Sequence, residues 1–454
     1  MSRWASLGFR LAFCAFLFCT VVGSWECCRP ALAADASTII SETRAAQHGL
    51  ERQWHTQIAM DPWKNRVTHL SYVPKSDTCP DMLFVQTENS MVFAINAETG
   101  QTLWSRLVGK PYLMSEAVDA NDQVVGALNG STLFILDRLN GRTLWNKGFR
   151  SVPATGPILS KQYAFVPYAA GCVAAYPLSK TKTASGRILD RKSESELAKL
   201  DTSPEASKTN RLRAYAETEP LLCPSLRRID TKPILIENNK GTDRLAWVNA
   251  GGIFMGSISS DSGGMNVDYS LLSKLDFEAS PAFVQSRFVQ PEGAKVPGTD
   301  KLAKNVPIFG ALLVAAKNGE ISAIQAGSGK TLWEYHFGEP IVQPIVTIED
   351  RAYVFSQYGT MVCFDARLGK KLWSKKGISQ FVAKTKERIY VLDQLRDKLL
   401  ILRASDGGEL DQLSISGFTK VFCNDKSDRL FFATESGLIQ SLRQRGMKKP
   451  VWYR

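Results

Sequence analysis

AAKNGEISAIQAGSGKTLWEYHFGEPIVQPIVTIEDRAYVFSQYGTMVCFDARLGKKLWSKKG, residues 315–377, decides the fold because it contains one pattern twice. Each half has an apolar run, a Gly turn, alternating apolar and polar residues, a second Gly turn and then Leu-Trp. Trp333 and Trp373 are 40 residues apart. A fixed period of roughly twenty to fifty residues is typical of repeat architectures. Four short strands in each period predict the blade of a β-propeller.

Further copies of the pattern lie on both sides of this stretch. Residues 83–105 and 124–146 repeat it closely, and weaker copies occupy residues 164–178, 245–259, 390–413 and 430–444. The sequence therefore predicts an all-β propeller of seven or eight blades, with eight candidate blades. Eight requires Val67–Tyr72 to be the first strand of the first blade and Val451–Tyr453 the last strand of the final one, whereas a shared closing blade would leave seven.

Glycine and tryptophan mark each repeat at fixed positions. We expect the glycines to supply the positive φ of a tight turn and the tryptophans to fill the space between neighbouring blades. In the copy near residue 400, Asp411 stands where the others have Trp. The repeat positions are Gly100, Trp104, Gly141, Trp145, Gly329, Trp333, Gly369, Trp373 and Gly407.

These motifs resemble a known family. Residues 94–104, 134–145, 323–333 and 363–373 look like the repeat of the pyrroloquinoline-quinone (PQQ) type propellers. The resemblance covers residues 67–454 with a gap in the middle. It implies the fold but not one activity, because the family includes calcium-dependent quinoprotein dehydrogenases and also non-catalytic, cofactor-free members similar to BamB.

A dehydrogenase would need PQQ, calcium held by carboxylate and amide oxygens, an aromatic floor and a catalytic base. No local motif identifies such residues, so the catalytic and cofactor-binding residues stay unknown and no metal site is predicted. The adjacent Cys pair that many quinoprotein dehydrogenases carry has no match after residue 33, where we expect a signal peptide to be cleaved; Cys27 and Cys28 are adjacent but precede that point. The GSGKT motif at residues 327–331 resembles the end of a phosphate-binding loop, but Ile324 replaces the required Gly and the stretch aligns with the turns of the other repeats.

The first 33 residues have the features of a secretory signal peptide. Arg3 and Arg10 precede an apolar core at residues 11–23, and Ala31 and Ala33 fit a cleavage site after residue 33. We therefore expect an exported protein in the periplasm, the cell envelope or the extracellular space, without a transmembrane span after cleavage.

The chain is basic, and the charge suggests what it binds. Its formal net charge is +12; cleavage would remove three arginines and one glutamate and leave about +10. A basic exported protein favours anionic surfaces or acidic proteins as partners, although a basic surface also serves solubility. Export argues against nucleic acid.

Five cysteines would remain after cleavage, so at least one is unpaired, and the sequence does not show whether any disulfide forms. They are Cys79, Cys172, Cys223, Cys363 and Cys423.

Three segments do not fit the repeat. Residues 34–65 are predicted to be helical, because Leu50, Trp54 and Ile58 recur every four residues. Polar stretches at 179–230 and 259–305 are predicted to be long inserted loops.

Three hypotheses follow from the sequence. The first is an exported, non-catalytic scaffold that binds protein partners in the envelope, similar to BamB and without a cofactor. The second is a PQQ- and calcium-dependent dehydrogenase. The third is a propeller that binds a small molecule without turnover.

Overall fold

The computed structural model describes residues 38–178, 220–237, 243–258, 264–288 and 308–453. These residues form eight four-stranded antiparallel sheets. In chain order the first elements are α1 (Glu42–Gln47), β1 (Leu50–Gln57), β2 (Val67–Val73), β3 (Met82–Thr87), β4 (Met91–Asn96), β5 (Thr102–Leu107), β6 (Ser115–Ala120), β7 (Val124–Asn129), β8 (Thr132–Asp137), β9 (Thr143–Gly148), β10 (Ile158–Leu159), β11 (Tyr163–Tyr168), β12 (Cys172–Pro177), β13 (Leu221–Pro224), β14 (Ile234–Glu237), β15 (Asp243–Asn249), β16 (Gly252–Ile258) and β17 (Met265–Leu272).

The second half continues the series and contains one short 3₁₀ turn, Gln394–Arg396. Its strands are β18 (Ala282–Phe288), β19 (Ile308–Ala315), β20 (Glu320–Gln325), β21 (Thr331–His336), β22 (Val346–Ile348), β23 (Arg351–Phe355), β24 (Thr360–Asp365), β25 (Lys370–Lys376), β26 (Gln380–Lys384), β27 (Arg388–Asp393), β28 (Lys398–Arg403), β29 (Glu409–Ser414), β30 (Lys420–Val421), β31 (Leu430–Ala433) and β32 (Leu438–Gln444).

The eight sheets are the blades of one propeller, so the choice between seven and eight is resolved as eight. Blades 1 to 7 each use four consecutive strands, from β2–β5 to β26–β29, and every candidate repeat of the sequence supplies one blade. Blade 8 combines β30, β31 and β32 with β1, which pairs antiparallel with β32. The N-terminal strand therefore closes the ring, and closure removes the free ends of an open stack of sheets.

The prediction of a helix over residues 34–65 is wrong for most of the described part of that range. Only the six residues of α1 are helical, and β1 follows directly. The four-residue spacing suggested one buried face, but β1 is buried on both faces. It contains a bulge between Arg52 and Trp54. The bulge turns the strand over, so that Leu50 packs towards blade 7 and Trp54 towards blade 1.

Two other boundaries also differ from the prediction. Val451–Tyr453 is not the outer strand of the last blade, because β1 occupies that place; its Trp452 forms only an isolated bridge with Ser427. The range 179–230 contains β13, and 259–305 contains β17 and β18. Parts of both ranges are therefore blade strands, and their remaining residues lie largely outside the described ranges. The predicted signal peptide, residues 1–33, also lies outside them.

The tryptophans join each blade to the next. The indole N–H of Trp104 donates to the carbonyl of Arg138 at 2.9 Å, and a Cβ on Gly141 would stand 2.5 Å from the Trp104 ring. Because Gly141 has φ +70°, the turn fits only glycine comfortably. The same pairing joins Trp54 to Gly100, Trp333 to Gly369 and Trp373 to Gly407.

Blades 2, 3, 4 and 7 depart from this pairing, and the outer strand of blade 3, β13, contains no tryptophan. In blade 4, Tyr269 takes the Trp position and lies against Gly329. In blade 7, Asp411 takes that position and accepts a hydrogen bond from His48 at 2.8 Å, which ties blade 7 to the residue that ends α1. The indole N–H of Trp145 has no hydrogen-bond partner within the described ranges.

Apolar clusters fill the spaces between adjacent blades. One cluster, between blades 6 and 7, includes Tyr353, Trp373 and Phe381. Each of the five cysteines remaining after the predicted cleavage is unpaired in the described structure. No helix in the described part of the chain has the length and apolar character needed to cross a membrane.

Candidate functional site: an aromatic patch at one end of the propeller

The strand order gives the propeller two distinct ends. At one end, which we call the connector end, lie the turns between the second and third strands of each blade and the connections from blade to blade. At the other, the insertion end, lie the connections between strands one and two and between strands three and four. All four internal gaps in the described chain interrupt connections at the insertion end.

Exposed large apolar side chains are concentrated at the connector end. Two at the opposite end are Leu139 and Leu368, which are 59% and 61% exposed. A contiguous exposed apolar surface on a soluble domain commonly marks an interaction site. Within the described ranges, the loops of the connector end expose Trp63, Tyr112, Met114, Val152, Leu226, Tyr358 and Leu395.

Three of these residues form what we call the aromatic patch: Trp63, Tyr112 and Met114, which are 80%, 77% and 82% exposed. Trp63 belongs to the connection from blade 8 to blade 1, and the other two belong to the connection from blade 1 to blade 2. The ammonium of Lys110 lies 5.9 Å from the centre of the Tyr112 ring. Trp, Tyr and Met are the residue types enriched at the centres of protein interfaces.

A hydrogen-bond network holds the loops of the patch together. Asn65, two residues after Trp63, donates to the side-chain oxygen of Asn89 at 2.7 Å. The neighbouring Ser90, with φ +65°, donates to the carbonyls of Lys110 at 3.2 Å and Leu113 at 3.4 Å. The loops carrying Trp63 and Tyr112 are thus linked through a single turn, Glu88–Ser90.

Asn129 holds the loop that carries Tyr112 and Met114 in place. Its buried amide nitrogen donates to the carbonyls of Lys110 at 3.1 Å and Leu113 at 3.2 Å, and its oxygen accepts from the Lys110 N–H at 2.8 Å. Gly109 is required beside it, because a Cβ there would stand 2.2 Å from the Asn129 oxygen. The Asn129-Gly130-Ser131 sequon is therefore part of the loop support in the folded chain, where Asn129 is only 1% exposed.

A shallow cavity of about 280 Å³ lies at the same end of the propeller. The turn Thr434–Gly437 lines it and also contacts the loop of Trp63: Arg66 forms an ion pair with Glu435 at 3.3 Å, and Ile58 donates its N–H to Gly437. Several hydroxyls face this cavity, from Thr38, Thr419, Thr434 and Ser436. The connector end thus carries both exposed aromatic side chains and a shallow recess of mixed polar and apolar lining, features suited to recognition of another molecule.

The described residues offer little for covalent or metal chemistry. Within them, no three His, Cys, Asp or Glu side chains come together as a metal-binding group. Burial raises the pKa of the Cys223 thiol to about 11 and that of Cys363 to about 12, which suppresses the reactive thiolate at neutral pH. Burial likewise raises the pKa of the Tyr269 hydroxyl to about 12.

The repeat positions do not converge on one site. The glycines and tryptophans lie in the outer parts of successive blades, where they serve the blade-to-blade contacts. Sequence reasoning did not find Trp63, Tyr112 or Met114, since each is an isolated apolar residue in a loop without a motif. The only signal was that large apolar residues stand in loops that a soluble propeller would be expected to make polar.

Comparison with protein families is decisive at this point. Residues 62–205 and 284–444 match the family described as outer membrane protein assembly factor BamB, a PQQ-type repeat family. The chain belongs to this family. The interval between the two matched ranges contains β13 and all of blade 4, the part of the ring in which the sequence repeat is weakest.

Individual relatives are more distant. Outer membrane protein assembly factor BamB of Yersinia pestis is 27% identical over 114 residues, which are 22% of this chain and 28% of that protein. The chain thus matches less than a third of the length of this curated relative. The crystal structure of BamB from Moraxella catarrhalis has a TM-score of 0.55 at 14% identity, with 87% of this chain and 98% of that chain covered.

A computationally designed protein, Ika8, resembles the chain about as closely. Its TM-score is 0.54 at 13% identity, with 88% of this chain and 98% of the Ika8 chain covered. Similarity to either structure therefore shows the propeller fold and no particular activity.

Proposed function

We propose that this protein is an exported, non-catalytic scaffold that binds a protein partner in the cell envelope, as an assembly factor of the BamB type. The observation that carries the proposal is the aromatic patch, where Trp63, Tyr112 and Met114 are exposed on loops that hydrogen bonds hold in place. Loops held in a fixed conformation before binding lose less entropy when a partner docks, which favours affinity. Membership in the BamB family and the predicted signal peptide support the envelope location.

Site-specific photocrosslinking in the native envelope tests this function. A photoreactive residue at Tyr112 or Met114 should capture one and the same protein, and the additional change Trp63→Ala should reduce the yield at least tenfold, because interface tryptophans often contribute more than about 1.4 kcal/mol to binding. Leu139 and Leu368 provide matched control positions, since both are exposed apolar residues at the insertion end. Equal capture from the control positions would contradict the proposal.

The identity of the captured protein tests the finer statement. A component of outer-membrane protein assembly would support the BamB-type role, whereas an unrelated partner would leave a scaffold with another task.

The dehydrogenase alternative has its own test, a titration of residues 34–454 with PQQ and calcium followed by absorbance and dye reduction with alcohols and sugars. We expect no saturable binding; substrate-dependent dye reduction would replace the scaffold proposal with an enzyme.

A further inference from the structure

The last seven described residues, Met447–Tyr453, which we call the C-terminal strap, do not belong to any blade sheet. The chain leaves β32 at the insertion end and turns back along the loop between β30 and β31. The N–H of Tyr453 donates to the carbonyl of Lys426 at 2.9 Å, and Val451 exchanges hydrogen bonds with Asp428. This loop joins the two innermost strands of blade 8, so the strap runs inward, towards the axis of the ring.

Two aromatic side chains attach the strap to the blades on either side of blade 8. The indole N–H of Trp452 donates to Asp81 in blade 1 at 2.8 Å, and the ammonium of Lys75 lies 4.3 Å from the ring centre. On the other side, the Tyr453 hydroxyl donates to the carbonyl of Lys384 in blade 7 at 2.7 Å. The contacted segments of blades 1 and 7 adjoin the connections between their first and second strands, which surround the axial opening.

Buried charges fix the base of the strap. The guanidinium of Arg429 is fully buried and donates to the carbonyls of Met447 at 3.4 Å and Lys448 at 3.2 Å. The same guanidinium forms a bidentate ion pair with Glu98 of blade 1 at 2.9 and 3.0 Å. The strap thus shares its anchor with the seam between blades 8 and 1, where the ring closes.

We propose that the C-terminal strap is a releasable latch that covers part of the axial mouth at the insertion end and opens without unfolding of the propeller. Its hydrogen bonds go to the loop between β30 and β31, to Arg429 and to single groups of blades 1 and 7, and it belongs to no sheet, so its opening breaks none of the strand ladders. Segments that lie outside the sheets and are held mainly by side-chain contacts open at a lower free-energy cost than the core.

Cys423 provides a natural probe for strap opening. It is half-buried and packs, together with Tyr453, against the apolar cluster between blades 6 and 7. Fully buried Cys363 belongs to the same cluster but lies within β24, away from the strap. Release of the strap should therefore expose the Cys423 thiol and leave the Cys363 thiol protected.

The experiment measures the labelling rate of each cysteine with a small maleimide, quantified by peptide mass spectrometry. We use residues 34–454 with Cys172→Ser, because Cys172 is also partly exposed. The double change W452A/Y453A should accelerate labelling of Cys423 at least tenfold and leave Cys363 unchanged. The milder change Trp452→Phe, which removes the bond to Asp81 but keeps an aromatic ring, should give a smaller acceleration, and Trp63→Ala at the other end should give none.

The labelling rates distinguish a strap that opens by itself from one that opens only when the propeller unfolds. Unchanged labelling of Cys423 in W452A/Y453A would overturn the proposal, and so would equal acceleration of Cys363, which would mean that the whole propeller had loosened. In the unaltered protein, Cys423 should label faster than Cys363; equal rates would mean that the strap opens only on global unfolding, which also overturns it. The test is independent of any protein partner.

Discussion

At the scale of single residues, the blade-to-blade contact depends on a glycine that serves two purposes. Gly369 has φ +64°, and a Cβ there would stand 2.5 Å from the Trp333 ring of the preceding blade. The glycine thus permits both the left-handed turn and the close approach of the indole. The turn also relies on Asp365, which accepts the N–H groups of Arg367 and Leu368 at 3.0 and 3.3 Å.

We predict that Gly369→Ala destabilises the protein more than an alanine at another glycine with similar backbone geometry. Gly377 is the control, since its φ is +80° but a Cβ there would meet nothing within 4 Å. The control should lose about 1 kcal/mol for the left-handed backbone, whereas Gly369→Ala should lose about 1–3 kcal/mol more because Trp333 must move. Urea unfolding of both variants measures the difference, and equal losses would show that the indole contact has no energetic weight.

Asp428 is a buried carboxylate whose charge costs stability. Burial raises its pKa above the ordinary value, with Arg429 opposing the shift, and one carboxylate oxygen has no partner within the described ranges. A raised folded-state pKa means that the stability the group contributes is present at low pH and lost as the pH rises through that value. The ionised form at neutral pH is therefore the unfavourable one.

We predict that Asp428→Asn is stabilising relative to the unaltered protein at pH 7, and that this advantage shrinks as the pH falls towards about 4. Glu98 still pairs with Arg429, so the substitution does not leave the guanidinium unpaired. Asp406→Asn is the control: the Gly408 N–H lowers the pKa of Asp406, so its substitution should cost stability at neutral pH and cost less in acid. Urea unfolding at several pH values measures the stability of both variants. The same dependence of stability on pH in both variants would contradict the opposite pKa shifts of Asp428 and Asp406.

At the scale of elements, β1 completes the last blade although it lies outside the sequence repeats. It provides the fourth strand of blade 8, and its Trp54 donates to the carbonyl of Ala97 in blade 1 at 2.8 Å. A bulge lies at the residue just before Trp54. The same bulge occurs in β5, β9, β21 and β25, where the residue before the Trp is Leu. The N-terminal strand therefore repeats the outer-strand geometry without its sequence signature.

We predict that Trp54→Ala costs about 3–5 kcal/mol, because a large buried side chain leaves a cavity at the closing seam. Trp63→Ala is the matched control, since Trp63 is 80% exposed and its loss should change stability by less than about 0.5 kcal/mol. Thermal or urea unfolding separates the two tryptophans. Similar losses for both would show that β1 does not close the ring as described.

The position of β13 changes the design of any deletion in the first polar range. Removal of residues 179–230 would take away β13 together with Cys223 and Ile229, which are fully buried. We predict that this deletion destabilises blade 3 more than a deletion of residues 183–215, because only the longer deletion removes β13. Circular dichroism and thermal unfolding compare the two; a cooperative, native-like melt of the longer deletion would contradict the role given to β13.

At the scale of the whole molecule, the two ends of the propeller have different characters. The connector end carries exposed aromatic and apolar side chains on short, hydrogen-bonded loops. The insertion end carries the C-terminal strap. A binding surface on the connector end and a latch on the insertion end are thus separable, and the crosslinking and thiol-labelling experiments examine them independently.

The sequence by itself determined the propeller, since a period of about forty residues with Gly and Trp in register can be satisfied only by stacking similar units. It also located one strand pair in each of the eight blades, because these features depend on residues close together in the chain. Only the tertiary structure decided that β1 closes blade 8, that Asp411 pairs with His48, and that the loop of Trp63 is linked to the loop of Tyr112 and Met114. These features join residues distant along the chain, and no local spacing records which surfaces meet when the ring closes.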